Sequence, residues 1–548
     1  MSLSRHLDAD TILAQAVDHP HRKHVHHSRN DKQRREIHDG AYSSRFATEQ
    51  LPKYSIPSTG VSAHAAYQLV HDELDLDGTP SLNLASFVHT WMPDEGKKLI
   101  MENISKNFAD QDEYPATMAI HTRCVSMREF NHIKDLVLSN DLLTGLSCAF
   151  SRRLNFGRRS EAIMLGGLAL KKRWQAARKA AGKSIHEPGP NIVFGANAQV
   201  ALEKFARYFD VEVGLRDEST NHVMSPERAM DYIDENTIGV MVILGSTYTG
   251  AFEDVEGMAR LLDEYETKTG INVPIHVDAA SGGFVAPFAY PKYKFGLVYA
   301  GLGWIIWRSE EMLPKELIFE LHYLGSVEYS YTLNFSRSAA PIIGQFFNFL
   351  NLGFDGYRRI ALSDLRNARL LSRALERSGF FIRYMVQCLS NIHRKLGTTK
   401  GLAQAITETL AGFDEDDAEF YERGLPVVSF RFTDQFRQEN PHVKQVWIQN
   451  LLRAKQWIVP NYALPPNESD IEILRIVVRE SMSADLVVLS FVWPIIKLLT
   501  GGSVEGSSDV AMMATVTAPA VNKDTAGHSQ LDDSHPDQQS TTTYAKPC

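Results

Sequence analysis

A chain of 548 residues with 44% hydrophobic composition is long enough to bury more than one core, so two or more globular domains are expected. Its formal net charge of -9, with no concentrated basic stripe, argues against nucleic acid or an anionic membrane surface as the main partner and leaves a small-molecule substrate as the expectation. Cys124, Cys148, Cys388 and Cys548 are far apart and form no CxxC pair, which fits a reducing, cytoplasmic compartment better than a disulfide framework or a thiolate metal site.

Residues 1–62 read as a polar arm in which His19, His21, His24, His26 and His27 crowd together. Such spacing can ligate a metal, but no carboxylate or cysteine pattern accompanies it, and a flexible segment that gains charge on mild acidification is the better reading. From 63 to about 345, short apolar runs alternate with helical patterns, the signature of an α/β domain built on a mainly parallel sheet. Ser160 is a plausible N-cap for a helix through EAIMLGGLALKKRWQAARKAA, with Lys and Arg toward its end and a stop at Gly182. Strands are predicted at NIVF (191–194), IGVMVIL (238–244) and PIHVD (274–278), and Ser225 followed by Pro226 starts another helix. From 346 to 500, long helices plus the strand runs PVVSFRF and EILRIVV predict a smaller C-terminal α+β domain. The apolar run LVVLSFVWPIIKLL (486–499) contains Pro494 and Lys497 and falls short of the roughly 20 residues a bilayer span needs, so it reads as a packed helix. Residues 501–548 are dominated by Gly, Ser, Thr, Asp and Ala, a composition that cannot offset its ordering entropy by burial, and predict a disordered tail.

The chemistry concentrates in IHVDAASGGF (275–284), where an apolar strand delivers Asp278 at its C-terminal edge, the edge at which ligands of open α/β sheets bind. Taken alone, an aspartate so placed serves equally as a helix cap or a magnesium ligand. The wider match decides more: HVDAASGGFVAPF, then KFGLVYAGLGWIIWR (294–308), resembles the glutamate decarboxylases, pyridoxal-phosphate enzymes of the aspartate aminotransferase-like, type I fold. NLASFVHTW (83–91), NISKNFADQDEYP (103–115), SEAIMLGGLALKKRW (160–174), KFARYFDVE (204–212), STYTGAFE (246–253), LGSVEYSYTLNFSR (324–337) and ILRIVVRESM (473–482) resemble the same family in the same order.

The resemblance implies decarboxylation of L-glutamate to γ-aminobutyrate and CO2, with pyridoxal 5'-phosphate as cofactor and no metal. By the family pattern Asp278 pairs with the pyridinium nitrogen, an opposite charge that keeps the ring protonated and able to accept electrons. Ala280 is expected under the ring, with His276 on the other side of Asp278 in the motif, Gln199 over the opposite ring face, and Thr247 in contact with the cofactor. Ser86, Asn107, Asp110 and Arg475 correspond to the family's substrate-contacting positions. Ser86 stands where bacterial members carry threonine, and either hydroxyl can donate to a carboxylate. Arg475 interrupts an otherwise apolar strand, where an unpaired guanidinium is costly, so a buried anionic partner or ligand is expected; its planar fork suits a carboxylate. The family's active sites form across a homodimer interface, and Ser336 with Arg337 in NFSR is expected to reach the neighbour's cofactor.

Two segments depart from the family. Before SEAIML the family carries a glycine and two small hydroxyl residues that hold the phosphate at a helix N-terminus; here SCAFSRRLNFGRR keeps Gly157 and Ser160 but places Arg158 and Arg159 in that loop. Relatives also have a strand and an SGHK-like turn before FGLVY, whereas here AYPKYK runs directly into it. Lys294 stands where the family has its Schiff-base lysine, with Tyr293 replacing the usual histidine, or else is the last residue before a missing stretch. Lys294 follows Asp278 by 16 positions, while a crossover of about a dozen residues plus a strand of about five needs roughly seventeen. Both patches are abrupt and flanked by intact family sequence, as a retained intron and a lost coding segment leave them. A decarboxylase of another amino acid, or a non-catalytic paralogue serving as an oligomer subunit, are the competing readings; Asn107, Asp110 and Arg475 speak against the first.

Overall fold

The computed structural model describes residues 56–57, 60–87, 91–126, 159–214, 223–289, 302–307, 309–322, 327–383, 423–465, 468–483 and 495. The histidine-rich arm, the 146–158 loop with Gly157, the AYPKYK junction with Lys294, most of the 486–499 run and the C-terminal tail lie outside these residues.

Contacts divide the chain into two units, Met1–Gly78 and Thr79–Cys548. In the first, helix α1 (Ala63–Leu74) is capped by Ser62, whose hydroxyl accepts the Ala65 N–H.

The second unit opens with α2 (Asp94–Glu102) and α3 (Pro115–Ser126), then α4 (Arg159–Ala180). The helix begins one residue before Ser160, so Ser160 lies in the first turn and is not the cap the sequence suggested. Strands β1 (Asn191–Val193), β2 (Glu212–Val213), β3 (Thr237–Ile243) and β4 (Ile275–Asp278) form one sheet in the order β2-β1-β3-β4, every pairing parallel. Between them run α5 (Val200–Tyr208), α6 (Pro226–Met230) and α7 (Val255–Thr269). Ser225 caps α6 through the Arg228 N–H as its Ser-Pro start predicts, but that helix is only five residues long. All seven residues of β3 are buried, which is why this strand reads as an unbroken apolar run. Val240 and Val242 pack with Met258 and Leu262 of α7 on one face, while Met241 and Ile243 pack with Ile163 and Leu170 of α4 on the other. Each such leucine contributes about 1.5–3 kcal/mol of burial.

Helix α4 lies antiparallel to the strands. A Cβ on Gly166 would come within 2.6 Å of His276 in β4, one on Gly239 within 2.9 Å of Leu170, and Trp174 donates to the Glu235 carbonyl just before β3. Descending α4 therefore descends β3 from its C-terminal to its N-terminal end. Arg159 and Ser160 consequently stand at the C-terminal edge of the sheet, where the positive end of a 22-residue helix favours an anion.

Beyond a short α8 (Ala286–Ala289), the hairpin β5 (Phe319–Leu321) and β6 (Glu328–Ser330) precedes α9 (Ala340–Arg377), a long helix broken at Gly353, whose φ of 57° and ψ of -178° interrupt the helical path. The last sheet is antiparallel, β7-β8-β10-β9, from β7 (Phe381–Arg383), β8 (Val427–Phe432), β9 (Asn461–Ala463) and β10 (Glu472–Val477). Leu474 and Ile476 of β10 face a core with Leu371 and Leu375 of α9 and with Ile448 and Leu452 of α10 (Val446–Ala454). Among the described residues, no helix is long and apolar enough to cross a membrane.

Candidate active site

Three parallel strands present their C-terminal ends together. The chain leaves β1 into a loop carrying Gln199, β3 into the turn carrying Thr247, and β4 at Asp278 itself. The Ile243↔Asp278 register and the Leu244 N–H to Asp278 carbonyl bond (2.9 Å) hold the ends of β3 and β4 side by side. Asp278 is 7% exposed, and its Oδ1 accepts the Ala280 N–H at 3.1 Å, so the turn itself orients the carboxylate. Just beyond, Gly282 is pressed against β3: a Cβ there would stand 2.0 Å from the Leu244 carbonyl oxygen. That contact explains why the turn after Asp278 is written in small residues. His276, two positions before Asp278, is buried under Gly166 of α4, and burial lowers its pKa to about 4, so it is neutral near pH 7. Gln199 does local work as well, its side-chain oxygen accepting the Ala201 N–H at 2.6 Å to cap α5.

Glu253, at the end of STYTGAFE, is the residue the sequence reading missed. It is 3% exposed and braces three segments: Oε2 accepts the Ile243 N–H at 2.6 Å, and Oε1 accepts the Met224 N–H and the Asn197 side-chain amide, each at 3.1 Å. Asn197 lies two residues before Gln199, and Ile243 is in register with Asp278, so one carboxyl ties together the two loops expected on either side of the ring. Burial raises its pKa to about 7; the three donors oppose that rise and the Asp278 charge adds to it.

Arg475 enters from the antiparallel sheet. It is 1% exposed; Nη1 donates to the Thr247 carbonyl at 2.7 Å and Nη2 to the Ala85 carbonyl, next to Ser86. Phe87 and Tyr462 place their ring centroids 5.2 and 5.6 Å from its guanidinium carbon. Its Nε is buried without a hydrogen-bond partner, and among the described residues no carboxylate forms an ion pair with it. The fold thus brings together Thr247, Arg475 and the Ala85–Ser86 segment, positions up to 389 apart in the chain.

A second group is built on other elements. Asn107 accepts the Arg337 N–H at 3.0 Å and its amide lies 3.5 Å from the Ser336 hydroxyl, while Phe108 N–H donates to the Arg337 carbonyl. Asp110 N–H donates to the Asn107 carbonyl at 3.2 Å, so Asn107, Asp110 and Ser336 lie together within one chain. Glu161, in the first turn of α4, fixes the same loop by accepting the N–H groups of Leu333 and Asn334 and the Asn334 amide. Its place directly after Ser160, in an acidic first turn, was the available signal for this role. Arg337 lies over Phe108 at 5.0 Å, and burial lowers its pKa to about 10 against the opposing charge of Glu161. Ser160 is exposed at the helix start.

Comparison with known proteins identifies the family. Residues 52–392 match the family model described as the pyridoxal-dependent decarboxylase conserved domain. A glutamate decarboxylase of Petunia hybrida is 41% identical over 464 residues, covering 81% of this chain and 82% of the relative. One from Saccharomyces cerevisiae is 40% identical over 506 residues, covering 84% and 82%. The solved structure of Lactobacillus brevis glutamate decarboxylase superposes with a TM-score of 0.67 at 32% identity, covering 82% of this chain and 95% of that one. The mouse CSAD structure, at 13% identity and a TM-score of 0.55, shares the fold alone. With a mainly parallel sheet ending in Asp278 and this breadth of likeness, the chain belongs to the pyridoxal-dependent decarboxylase family, within its glutamate decarboxylase branch.

Proposed function

We propose that this chain decarboxylates L-glutamate to γ-aminobutyrate and CO2. The observation that carries the reading is Arg475: a buried guanidinium, held by two backbone carbonyls with its Nε unpartnered, at the sheet edge that presents Asp278. A protein interior tolerates such a cation when an anion completes it, and a substrate carboxylate is the anion this family brings. The glutamate decarboxylases that resemble the chain over four fifths of its length support the choice of amino acid.

The residues fit the cofactor. Asp278 offers a buried, oriented carboxylate for a pyridinium nitrogen, and the start of α4 at Arg159 and Ser160 offers a cationic helix terminus at the same edge for a phosphate. When bound, pyridoxal phosphate supplies the electron sink that takes up the pair left as CO2 departs. Asp278 sustains that sink by stabilising positive charge on the ring nitrogen. Arg475 holds a carboxylate in fixed orientation, its fork immobilised by Thr247 and Ala85. The substrate carbon exchanges its carboxylate for a proton, so one proton is consumed for each CO2 released. By the family pattern we assign Gln199 and Ala280 to the two ring faces, Ser160 and Gly157 to the phosphate, and Ser86, Asn107 and Asp110 to the substrate. Ser336 is assigned to a neighbouring subunit's site in a cytosolic homodimer, a state that sedimentation of the purified protein reads directly. Lys294 is proposed as the covalent anchor of the cofactor.

Borohydride reduction of the protein loaded with pyridoxal phosphate, followed by peptide mapping, tests the assignment together with CO2 release from labelled glutamate. The expected result is a label on Lys294 and stoichiometric γ-aminobutyrate. A protein that takes no label and releases no CO2 refutes catalysis and favours the non-catalytic subunit.

A further inference from the structure

Strand β10 sorts its side chains by alternation. Leu474 and Ile476 face the helical core, whereas Ile473 and Arg475 face the parallel sheet, where Tyr248, Leu464 and Tyr462 pack against Ile473. In the β9–β10 ladder Ile473 is directly opposite Tyr462, and the Arg475 N–H donates to the Pro460 carbonyl. Tyr462 and Arg475 are therefore diagonal neighbours on one face of the sheet, in reach of each other.

Three features of Tyr462 do not follow from packing. Its hydroxyl is buried with no acceptor for its own proton, and the group it stands within hydrogen-bonding reach of, the Arg475 guanidinium, can only donate. Its ring lies 5.6 Å from the Arg475 guanidinium carbon and 5.9 Å from the ring of Tyr248. The third is electrostatic: burial raises its pKa and the Arg475 charge opposes the rise, which puts the phenol within the field of the guanidinium. A buried hydroxyl with nothing to donate to is costly, and phenylalanine would fill the same space without that cost. Beside it, Arg475 Nε is a second buried donor without an acceptor. Two donors from adjacent strands, both lacking an acceptor and side by side, describe a site for one anionic group.

We propose that Tyr462 is a substrate-binding residue whose phenol donates a hydrogen bond to the same carboxylate that Arg475 binds. The arrangement divides the labour. Arg475 supplies charge, while Tyr462 supplies a donor whose direction is set by the ladder, so the pair discriminates a carboxylate from an uncharged amide or alkyl group. Tyr248 walls the pocket from the parallel-sheet side, its own backbone fixed where its carbonyl accepts the Ser429 hydroxyl at 2.6 Å. The inference rests on the reading above that a carboxylate substrate meets Arg475.

The test is Tyr462→Phe in the holoenzyme, which retains the ring against the guanidinium and removes only the hydroxyl. Glutarate, a dicarboxylate lacking the amine, is titrated calorimetrically into wild type and variant, and kcat/KM for L-glutamate is measured beside it. Loss of one hydrogen bond to a charged group predicts about a tenfold or larger rise in Kd for glutarate and a matching fall in kcat/KM, with pyridoxal phosphate affinity unchanged. Glutarate binding and kcat/KM both within about twofold of wild type would overturn the role of Tyr462. A wild type that holds pyridoxal phosphate but neither binds glutarate nor releases CO2 from glutamate overturns the reading of Arg475 itself, and the proposal with it.

Discussion

Replacing Glu253 with glutamine has two separable consequences, and their different pH dependence makes the prediction specific. The first is loss of an acceptor. Glu253 uses both oxygens, Oε2 for the Ile243 N–H at 2.6 Å and Oε1 for Met224 and Asn197. Glutamine keeps one oxygen and turns an NH2 toward a donor, so at acid pH Glu253→Gln is expected to cost about 1–3 kcal/mol. The second is loss of a proton linkage. Burial raises the Glu253 pKa to about 7 from an ordinary 4.5, so between these values the folded protein binds more protons than the unfolded chain. Stability from this group therefore falls as pH rises through that window, by roughly 3 kcal/mol in all, and is level above it. His276 and His121, whose pKa values burial lowers to about 4 and about 3, act in the opposite sense: each favours the folded state as pH rises toward the ordinary histidine range. Both are present in wild type and variant and cancel in the difference. Urea unfolding of the two proteins side by side is the assay. Wild type should be the more stable at about pH 5, with the gap closing or reversing by about pH 8. A gap that does not change with pH would refute the protonated, buried brace.

Three further outcomes follow from the same edge of the sheet. Asp278→Asn keeps the bond to Ala280 within reach but removes the charge; since a paired carboxylate shifts a neighbouring pKa by about one to three units, CO2 release should fall by about two orders of magnitude with circular dichroism unchanged. Gly282→Ala places a Cβ 2.0 Å from the Leu244 carbonyl, which backbone cannot yield cheaply, so thermal unfolding should show a loss of about 1–3 kcal/mol together with weakened pyridoxal phosphate binding. Arg475→Met exchanges a buried cation for an apolar chain but leaves the Thr247 and Ala85 carbonyls without their donor, so stability should change by no more than about 1–3 kcal/mol while kcat/KM for glutamate falls about a hundredfold or more; an unchanged kcat/KM would mean that Arg475 is structural alone.

The parallel strands were legible because burial on both faces leaves an unbroken apolar run, as in IGVMVIL, and Arg475 was legible for the converse reason, a charge inside such a run. What escaped was set by tertiary placement. Glu253 follows a turn and reads as a surface acid; only the return of the chain beneath β3 buries it among three donors. Ser160 is a residue type that caps helices, yet the helix includes Arg159, a one-residue difference of the size by which sequence patterns commonly misplace helix ends. Tyr462 is one aromatic among 19 tyrosines, and nothing local marks its hydroxyl as lacking an acceptor.

The division of labour between the two sheets bears on how specificity is kept in this branch of the family. Asp278, proposed as the cofactor's acid partner, belongs to the parallel sheet, whereas Arg475, proposed to bind the substrate, belongs to the antiparallel one, so the two are in register only if the sheets are locked together. Hydrogen bonds to backbone carbonyls provide that lock: Leu425 N–H donates to the Gly250 carbonyl at 2.8 Å, the Ser429 hydroxyl to the Tyr248 carbonyl, and the Arg475 side chain to Thr247. Arg475 is thus a rivet as well as the proposed substrate cation, and its rivet bonds use terminal nitrogens while Nε has no partner. A lysine at this position has a single terminal nitrogen and no planar fork, so it would have to give up one role for the other. Arg475→Lys is accordingly expected to retain cofactor binding but to raise the KM for glutamate about tenfold or more, a separation that the sheet-to-sheet lock makes possible and that an active site carried on one sheet would not show.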